Sequence, residues 1–187
     1  MSEKPWKPTK EEIRAAAGKK VNDVIAESLS VLFCGINPGL YTAATGHHFA
    51  RPGNRFWVTL HEAGFTPRVL SPFEEGLLLR YSLGITNLVE RATANAAEIS
   101  DAELIEGGII LEKKIYKYKP RVLAVLGITA FGKAFKKRAV TSGLQNFRIA
   151  ETPVWVLPNP SGLNANYQKS DLVILFKNLY YWIKEHQ

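Results

Sequence analysis

The stretch SVLFCGINPGL, residues 30–40, decides how the rest of the chain is read. Its first half is a continuous apolar run, not an alternating one. A strand of that kind is buried on both faces, as strands inside a parallel sheet are. Its second half stops the strand. Pro38 fixes φ and has no backbone N–H, and Gly39 allows the backbone to approach a ligand closely. A second phrase repeats the pattern. The apolar run VWVL (154–157) leads into NPSGL (159–163), where Pro160 and Gly162 have the same local roles.

Outward from these two phrases, the helices announce themselves by their caps. TKEE (9–12) reads as a capping box that starts a short helix. NRFWVTLHEA (54–63) reads as a helix with Asn54 as N-cap and Gly64 as its stop. SPFEEGLLLRY (71–81) has Ser71 as N-cap, Pro72 at the first helical position and Glu74 completing the box. SLGITNLV (82–89) is a candidate strand. SDAELIEGGIILEKKIYKY (100–118) opens on Ser100 and Glu103 and stops before Pro120, and its Gly107-Gly108 pair would allow close packing on a sheet. RVLAVLG (121–127) is the third strand, and TAFGKAFKKRA (129–139) its following helix. FRIAETPVWVLP (147–158) reads as a short strand or hairpin leading into a fourth main strand. DLVILFKNLYYWIKEH (171–186) closes the chain as a helix, with Leu172, Leu175, Phe176, Leu179 and Ile183 at helical spacing.

Buried strands that alternate with helices predict an α/β fold, a three-layer α/β/α arrangement with a mostly parallel central sheet. No repeat or low-complexity segment interrupts it. Residues 1–28 read as an N-terminal extension with a short helix, and 29–187 as a single domain. The chain has 187 residues, 46% hydrophobic and 22% charged, as a soluble globular domain would. Cys34 is the one cysteine, which excludes an internal disulfide, a cysteine-ligated iron–sulfur cluster and a multi-cysteine zinc site. No apolar run approaches ~18 residues, so no membrane span is expected. The N-terminus shows no signal-peptide apolar region, and a cytoplasmic location is the expectation.

The net charge of +7, with a pI near 9.5, favours an anionic partner, nucleic acid first. Lysine and arginine cluster in KKIYKYKPR (113–121) and GKAFKKR (132–138), although solvated helix faces read the same way. In an open parallel sheet the ligand crevice lies beyond the carboxyl ends of the strands. GINPGL, TNLVER (86–91) and NPSGL would all land on that edge, so Asn37, Asn87 and Asn159 could face one cleft. An asparagine both donates and accepts, and so can read a planar polar ligand such as a base edge. Two turns that merely reverse the chain are the alternative. His47-His48 suits a loop or a phosphate contact better than a metal, since sequence neighbours seldom point at one ion. Cys34, inside the strand, reads as a small core residue. GITAFGK (127–133) resembles a phosphate-binding loop, but Ala134 stands where a Ser or Thr is needed for Mg²⁺, and its interior looks like the first turn of a helix.

Three blocks together point further. GINPGLYTAATGHHFARPGNRFW (35–57), TNLVERAT (86–93) and LPNPSGL (157–163) closely resemble the mismatch-specific uracil/thymine DNA glycosylases, the double-strand-specific group of the uracil-DNA glycosylase superfamily. The resemblance runs from about Leu29 to the C-terminus. It implies a uracil-DNA glycosylase-like fold and a monofunctional enzyme. Such an enzyme hydrolyses the N-glycosidic bond of uracil mispaired in double-stranded DNA, by base flipping, and so initiates base-excision repair. It further implies a U·G or related mismatch as partner, a monomer, and neither cofactor nor metal. Thymine, ethenocytosine, hypoxanthine and hydroxymethyluracil are other bases that related enzymes take.

The resemblance also assigns positions. Asn37 falls at the catalytic position. Cleavage builds positive charge on the sugar, as in other glycoside hydrolyses, and an amide can hold the attacking water but cannot take its proton as Asp would. A slower enzyme than relatives with Asp is therefore implied. Backbone groups of Ile36 and Gly39 would meet the base edge, and pocket donors would stabilise the departing anion. Phe49 would stack on the base, although a core role is its alternative. Thr42, bulkier than the family's usual small residue, would crowd the thymine methyl. His48 lies beside it, Asn87 agrees with one branch of the family, and Asn159 would line the pocket near the flanking phosphate. Gly162, Leu163 and Asn164 match a loop that fills the hole left by the flipped base, with Leu163 as the wedge. Two other readings stay open: a nucleotide-hydrolysing protein built on GITAFGK, and a DNA-binding module that keeps only the shape of the cleft.

Overall fold

Residues Val31–Gly35 form strand β1, buried throughout. In the computed structural model, which describes residues 6–186, β1 lies near the middle of a five-stranded sheet. Residues 1–5 of the expected N-terminal extension, and residue 187, lie outside the described residues. The strands β2 (Leu83–Asn87), β3 (Leu123–Leu126), β4 (Gly143–Ile149) and β5 (Thr152–Leu157) complete the sheet in the order β2-β1-β3-β5-β4. All neighbours are parallel except the edge pair β4–β5, which is antiparallel. The chain moves outward from β1 to β2, then crosses back to β3 on the other side of β1. That reversal opens a crevice at the carboxyl ends of β1 and β3.

The helices are α1 (Lys10–Arg14), α2 (Leu40–Thr45), α3 (Phe56–Glu62), α4 (Asp101–Tyr118), α5 (Ile128–Ala134) and α6 (Lys169–Glu185). Alternate residues of β1 serve two different cores. Val31 and Phe33 face α3 and α6, where Phe33 meets Phe56 edge-on and stacks on Phe176. Leu32 and Cys34 face α4 and α5, with Leu111, Ile115 and Phe131. Two covered faces are why the run 31–35 is continuously apolar, and they make the three layers. Cys34 belongs to the second core, where burial pushes its thiol pKa far up.

Several boundaries differ from the sequence reading. Helix α3 starts at Phe56 with Arg55 as its N-cap, and Asn54 contributes by accepting the Phe56 N–H at 2.9 Å. Pro72–Tyr81 is a 3₁₀ helix. Its capping box of Ser71 and Glu74 is as expected, but only Leu78 is buried, so no apolar stripe holds an α-helical period. Gly107 and Gly108 allow close packing on the loop after β2 and on the end of α5, not on the sheet itself. A Cβ on Gly107 would lie 2.2 Å from the Leu88 carbonyl oxygen, and one on Gly108 3.0 Å from that of Ala134. Helix α5 stops at Ala134 rather than near 139, and Lys136 and Ala139 beyond it take left-handed conformations. It begins at Ile128, so GITAFGK is a helix start and not an open phosphate cradle. The hairpin reading of 147–158 holds, with Ala150 and Glu151 both at positive φ as a tight primed turn requires.

The segment before β1 is attached to the sheet. Val24 and Ile85 exchange backbone hydrogen bonds of 2.9 and 2.8 Å. Asp23 accepts from Lys114 Nζ at 2.6 Å and from the Thr86 hydroxyl at 2.7 Å.

Candidate active site

At the carboxyl edge of the sheet lies a cavity of about 430 Å³. It collects side chains from chain segments far apart in sequence. Ile36, Asn37 and Gly39 follow β1, Thr42 comes from α2, and His48 and Phe49 from the loop before α3. Asn87 ends β2, and Asn159 and Asn164 follow β5. Leu163 lines the mouth. Gly162 alone of the expected residues lines no part of it. That glycine faces an adjoining hollow of about 210 Å³ shared with Arg51, Pro52, Gly53 and Asn54.

Asn37 is held by one end. Its Nδ2 donates to the carbonyls of Pro38 and Arg91, each at 3.1 Å, and to Thr93 Oγ1 at 2.8 Å. Thr93 passes its own proton to the Asn95 carbonyl at 2.9 Å, so its oxygen is free to accept. Acceptors surround Nδ2, which fixes the amide orientation. Among the described residues no donor engages Oδ1. A lone acceptor in a polar cavity can hold a water. Thr93 was not read as a site residue from sequence, although it sits in the quoted block TNLVERAT.

A second constellation lines the same cavity. His48 is 1% exposed. Its Nε2 donates to the Asn22 carbonyl at 2.9 Å, which leaves the lone pair on Nδ1, 3.5 Å from Asn87 Nδ2. Glu75 fixes the same corner, accepting the His48 N–H at 2.7 Å and pairing with His47 Nδ1 at 2.9 Å. The two imidazole rings thus have different partners, Glu75 for His47 and Asn22 for His48. Among the described residues no group of three or more His, Cys, Asp or Glu is arranged to hold a metal. Burial lowers the His48 pKa from its ordinary 6.5, and the Glu75 carboxylate opposes that only in part.

The consequence is a pH dependence of defined sign. A histidine whose folded pKa is depressed binds a proton more weakly folded than unfolded. Its contribution to stability is whole above 6.5 and is lost as pH falls below that value. Protonation would also place an N–H on Nδ1 against the Asn87 amide nitrogen. Thermal unfolding between pH 8 and pH 5 is expected to show a falling midpoint on the acid side. His48→Gln should flatten part of that fall; an unchanged slope would remove His48 as its source.

Asn87 and Phe49 close over Gly35. A Cβ on Gly35 would lie 2.6 Å from Asn87 Oδ1 and 3.4 Å from Phe49 Cζ. Phe49 belongs to the core and to the cavity lining alike. It stacks on Phe56 of the core with centroids 4.3 Å apart, and it also lines the cavity. Its backbone is left-handed, with φ 53°, a conformation that costs a non-glycine residue on the order of 1–3 kcal/mol. The neighbouring anchors that hold it there are Glu75 on the His48 N–H and Trp57 Nε1 on the His48 carbonyl at 3.2 Å.

Residues 23–181 match the family model of the uracil DNA glycosylase superfamily. The chain belongs to that superfamily. The matched region spans every cavity residue described above. A solution NMR structure from Methanosarcina acetivorans, itself assigned provisionally as a uracil DNA glycosylase, superposes with a TM-score of 0.59 at 18% identity. That alignment covers 87% of this chain and 98% of the other, and it supports the fold. Membership makes this chain a DNA glycosylase, a hydrolase whose substrate is DNA.

The glycosylase loop after β5 is braced in part by its own side chains. Asn159 Oδ1 accepts the Ser161 N–H at 3.0 Å, and Asn164 Nδ2 donates to the Asn159 carbonyl at 3.0 Å. These bonds raise Leu163 to the tip, 72% exposed. At that exposure Leu163 is not part of the core. Arg51 stands on the lip between cavity and hollow, exposed, and among the described residues its guanidinium makes no hydrogen bond or ion pair. Nothing in the local sequence separated it from the other basic residues.

Proposed function

We propose that this glycosylase removes uracil from U·G and related mispairs in double-stranded DNA, as a monofunctional, monomeric enzyme that flips the base into the cavity beside Asn37. One observation carries the reading. A highly exposed apolar side chain, Leu163, projects from a loop whose base lines the same cavity as the oriented Asn37 amide. Exposed on a loop tip it is unfavourable in water, and it has the character of side chains that enter base steps. The cavity would receive the base and Leu163 would occupy the space it leaves.

In the proposed reaction Phe49 stacks on the uracil, and Asn87 presents donor and acceptor to its edge. The bond from C1′ to the base breaks first, leaving positive charge on the sugar and negative charge on the base. Backbone N–H groups around Ile36 and Gly39 face the leaving base. Water held by Asn37 Oδ1 adds to C1′ and loses its proton to solvent. Thr42, buried at the pocket wall, narrows the space available to a 5-methyl group. An abasic-site cleavage assay with U·G, T·G and U·A duplexes tests the whole reading. Release should be fastest from U·G and much slower from T·G. Absence of abasic sites in all three would overturn the assignment.

Arg51 is proposed to contact a DNA phosphate, because among the described residues its guanidinium is unpaired, and it is exposed on the lip between cavity and hollow. Arg51→Ala should weaken binding across sequences and lower the salt slope of affinity by about one unit. An unaltered slope would place the phosphate contacts elsewhere.

A further inference from the structure

The loop that presents Leu163 has neither helix nor strand between the end of β5 at Leu157 and the start of α6 at Lys169. Its carbonyls need partners, and one side chain supplies four of them. Arg55 Nη2 donates to the Ser161 carbonyl at 2.5 Å and to that of Asn164 at 3.1 Å. Its Nη1 donates to Tyr167 at 2.5 Å and its Nε to Pro160 at 3.4 Å. The Arg55 backbone N–H adds a bond of 3.0 Å to the same Pro160 carbonyl. Among the described residues no carboxylate pairs with this guanidinium. It is a half-buried cation solvated by the carbonyl dipoles of one loop, bound on both sides of the Leu163 tip. The loop is also pressed against the segment that carries Arg55, since a Cβ on Gly162 would lie 2.5 Å from the Gly53 carbonyl oxygen.

We infer that Arg55 is a positioning residue that holds the Leu163 loop in the shape in which it enters the duplex. The inference rests on the proposed function, in which Leu163 occupies the space left by the flipped base. Ordering a loop at the moment of binding costs affinity, and a loop already fixed does not incur that cost. Arginine suits the task because its planar fork offers five N–H donors in fixed directions, whereas lysine offers a single ammonium. Arg55 does not line the cavity, so it touches neither base nor sugar, and its loss should spare the chemical step.

The test compares Arg55→Lys and Arg55→Met with the native chain on two duplexes. One holds uracil opposite guanine, the other uracil opposite a tetrahydrofuran abasic analogue, where no partner base has to be separated. Single-turnover release from U·G should fall about fivefold in Arg55→Lys, and release opposite the analogue by no more than about twofold. Arg55→Lys keeps the charge and the stem, so it separates lost geometry from lost charge. Amide hydrogen exchange over 160–167 should rise about tenfold in the same variant, with the amides of β1 unchanged. Equal losses on both duplexes, or unchanged exchange in the loop, would overturn the inference. If the native chain releases uracil from neither duplex, the proposed function fails instead, and the exchange measurement alone then decides whether Arg55 holds the loop.

Discussion

Asn37→Ala is expected to slow uracil release about a thousandfold while leaving affinity for a U·G duplex nearly unchanged. The expectation follows from how the amide is held. Three acceptors take its nitrogen end, so its oxygen end is the part free to act on the proposed water. Alanine removes that acceptor and also leaves Thr93 and the Arg91 carbonyl without a donor. Single-turnover release and a separate binding titration check the two halves of the claim. Full release by the variant would remove Asn37 from the mechanism. The same geometry speaks to a carboxylate at this position. In Asn37→Asp a carboxylate oxygen would face the Pro38 and Arg91 carbonyls at the present 3.1 Å. Repulsion of that kind raises a carboxyl pKa. The variant should therefore be less stable at neutral pH than the native protein, with the deficit shrinking as pH falls and the carboxyl is protonated. It should also gain no rate from its nominal base. In this chain the asparagine is matched to the acceptors of its loop.

The layers were legible because burial on both faces leaves a mark that local chemistry cannot hide. The unbroken run of β1, the capping boxes at Thr9, Ser71 and Ser100, and the spacing in α6 all record interactions between near neighbours or with one flat surface. Helix α2 was not read, because GINPGL looks like a turn and the helix that begins on its last residue runs only six residues before Gly46 ends it in a left-handed conformation. The 3₁₀ period of 72–81 escaped for a related reason: a cap states where a helix begins, whereas its period depends on what it buries.

The candidate site was legible where chemistry repeats along the chain, as with the two Asn-Pro turns, and where a resemblance supplied positions. Residues that act through long-range partners were not. Thr93 matters through Asn37, 56 positions away, and Asn22 through the ring of His48, 26 positions away. Gly35 was read only as part of the strand, yet its missing side chain is what leaves room for Asn87 and Phe49 over it. Arg55 looked like one more cation on a basic chain until its four carbonyl partners came together. No composition or spacing rule reports a contact of that kind, since it exists only once the loop after β5 has been placed against the start of α3.

Leu163→Ala is expected to reduce uracil release from a U·G duplex by about ten- to a hundredfold, with much smaller loss when the uracil lies opposite an abasic analogue. The magnitude comes from burial. Moving a leucine side chain from water into a base stack is worth about 1.5–3 kcal/mol, and 1.4 kcal/mol corresponds to a factor of ten. The native side chain is 72% exposed, so its removal has almost nothing to take from the folded state. The unfolding midpoint should move little, as for surface substitutions that stay within about 0.5 kcal/mol. That separation is what makes the variant informative: a large kinetic loss with an unchanged fold can only arise in the complex with DNA. Comparison of the two duplexes then locates the loss. Where a partner base must be separated, alanine leaves the hole in the stack unfilled and the uracil returns to it. Where there is no partner base, far less depends on filling that space, and the pocket side chains are those of the native protein. Equal losses on the two duplexes would show that Leu163 acts on the bound base or its sugar, and the wedge role would be withdrawn.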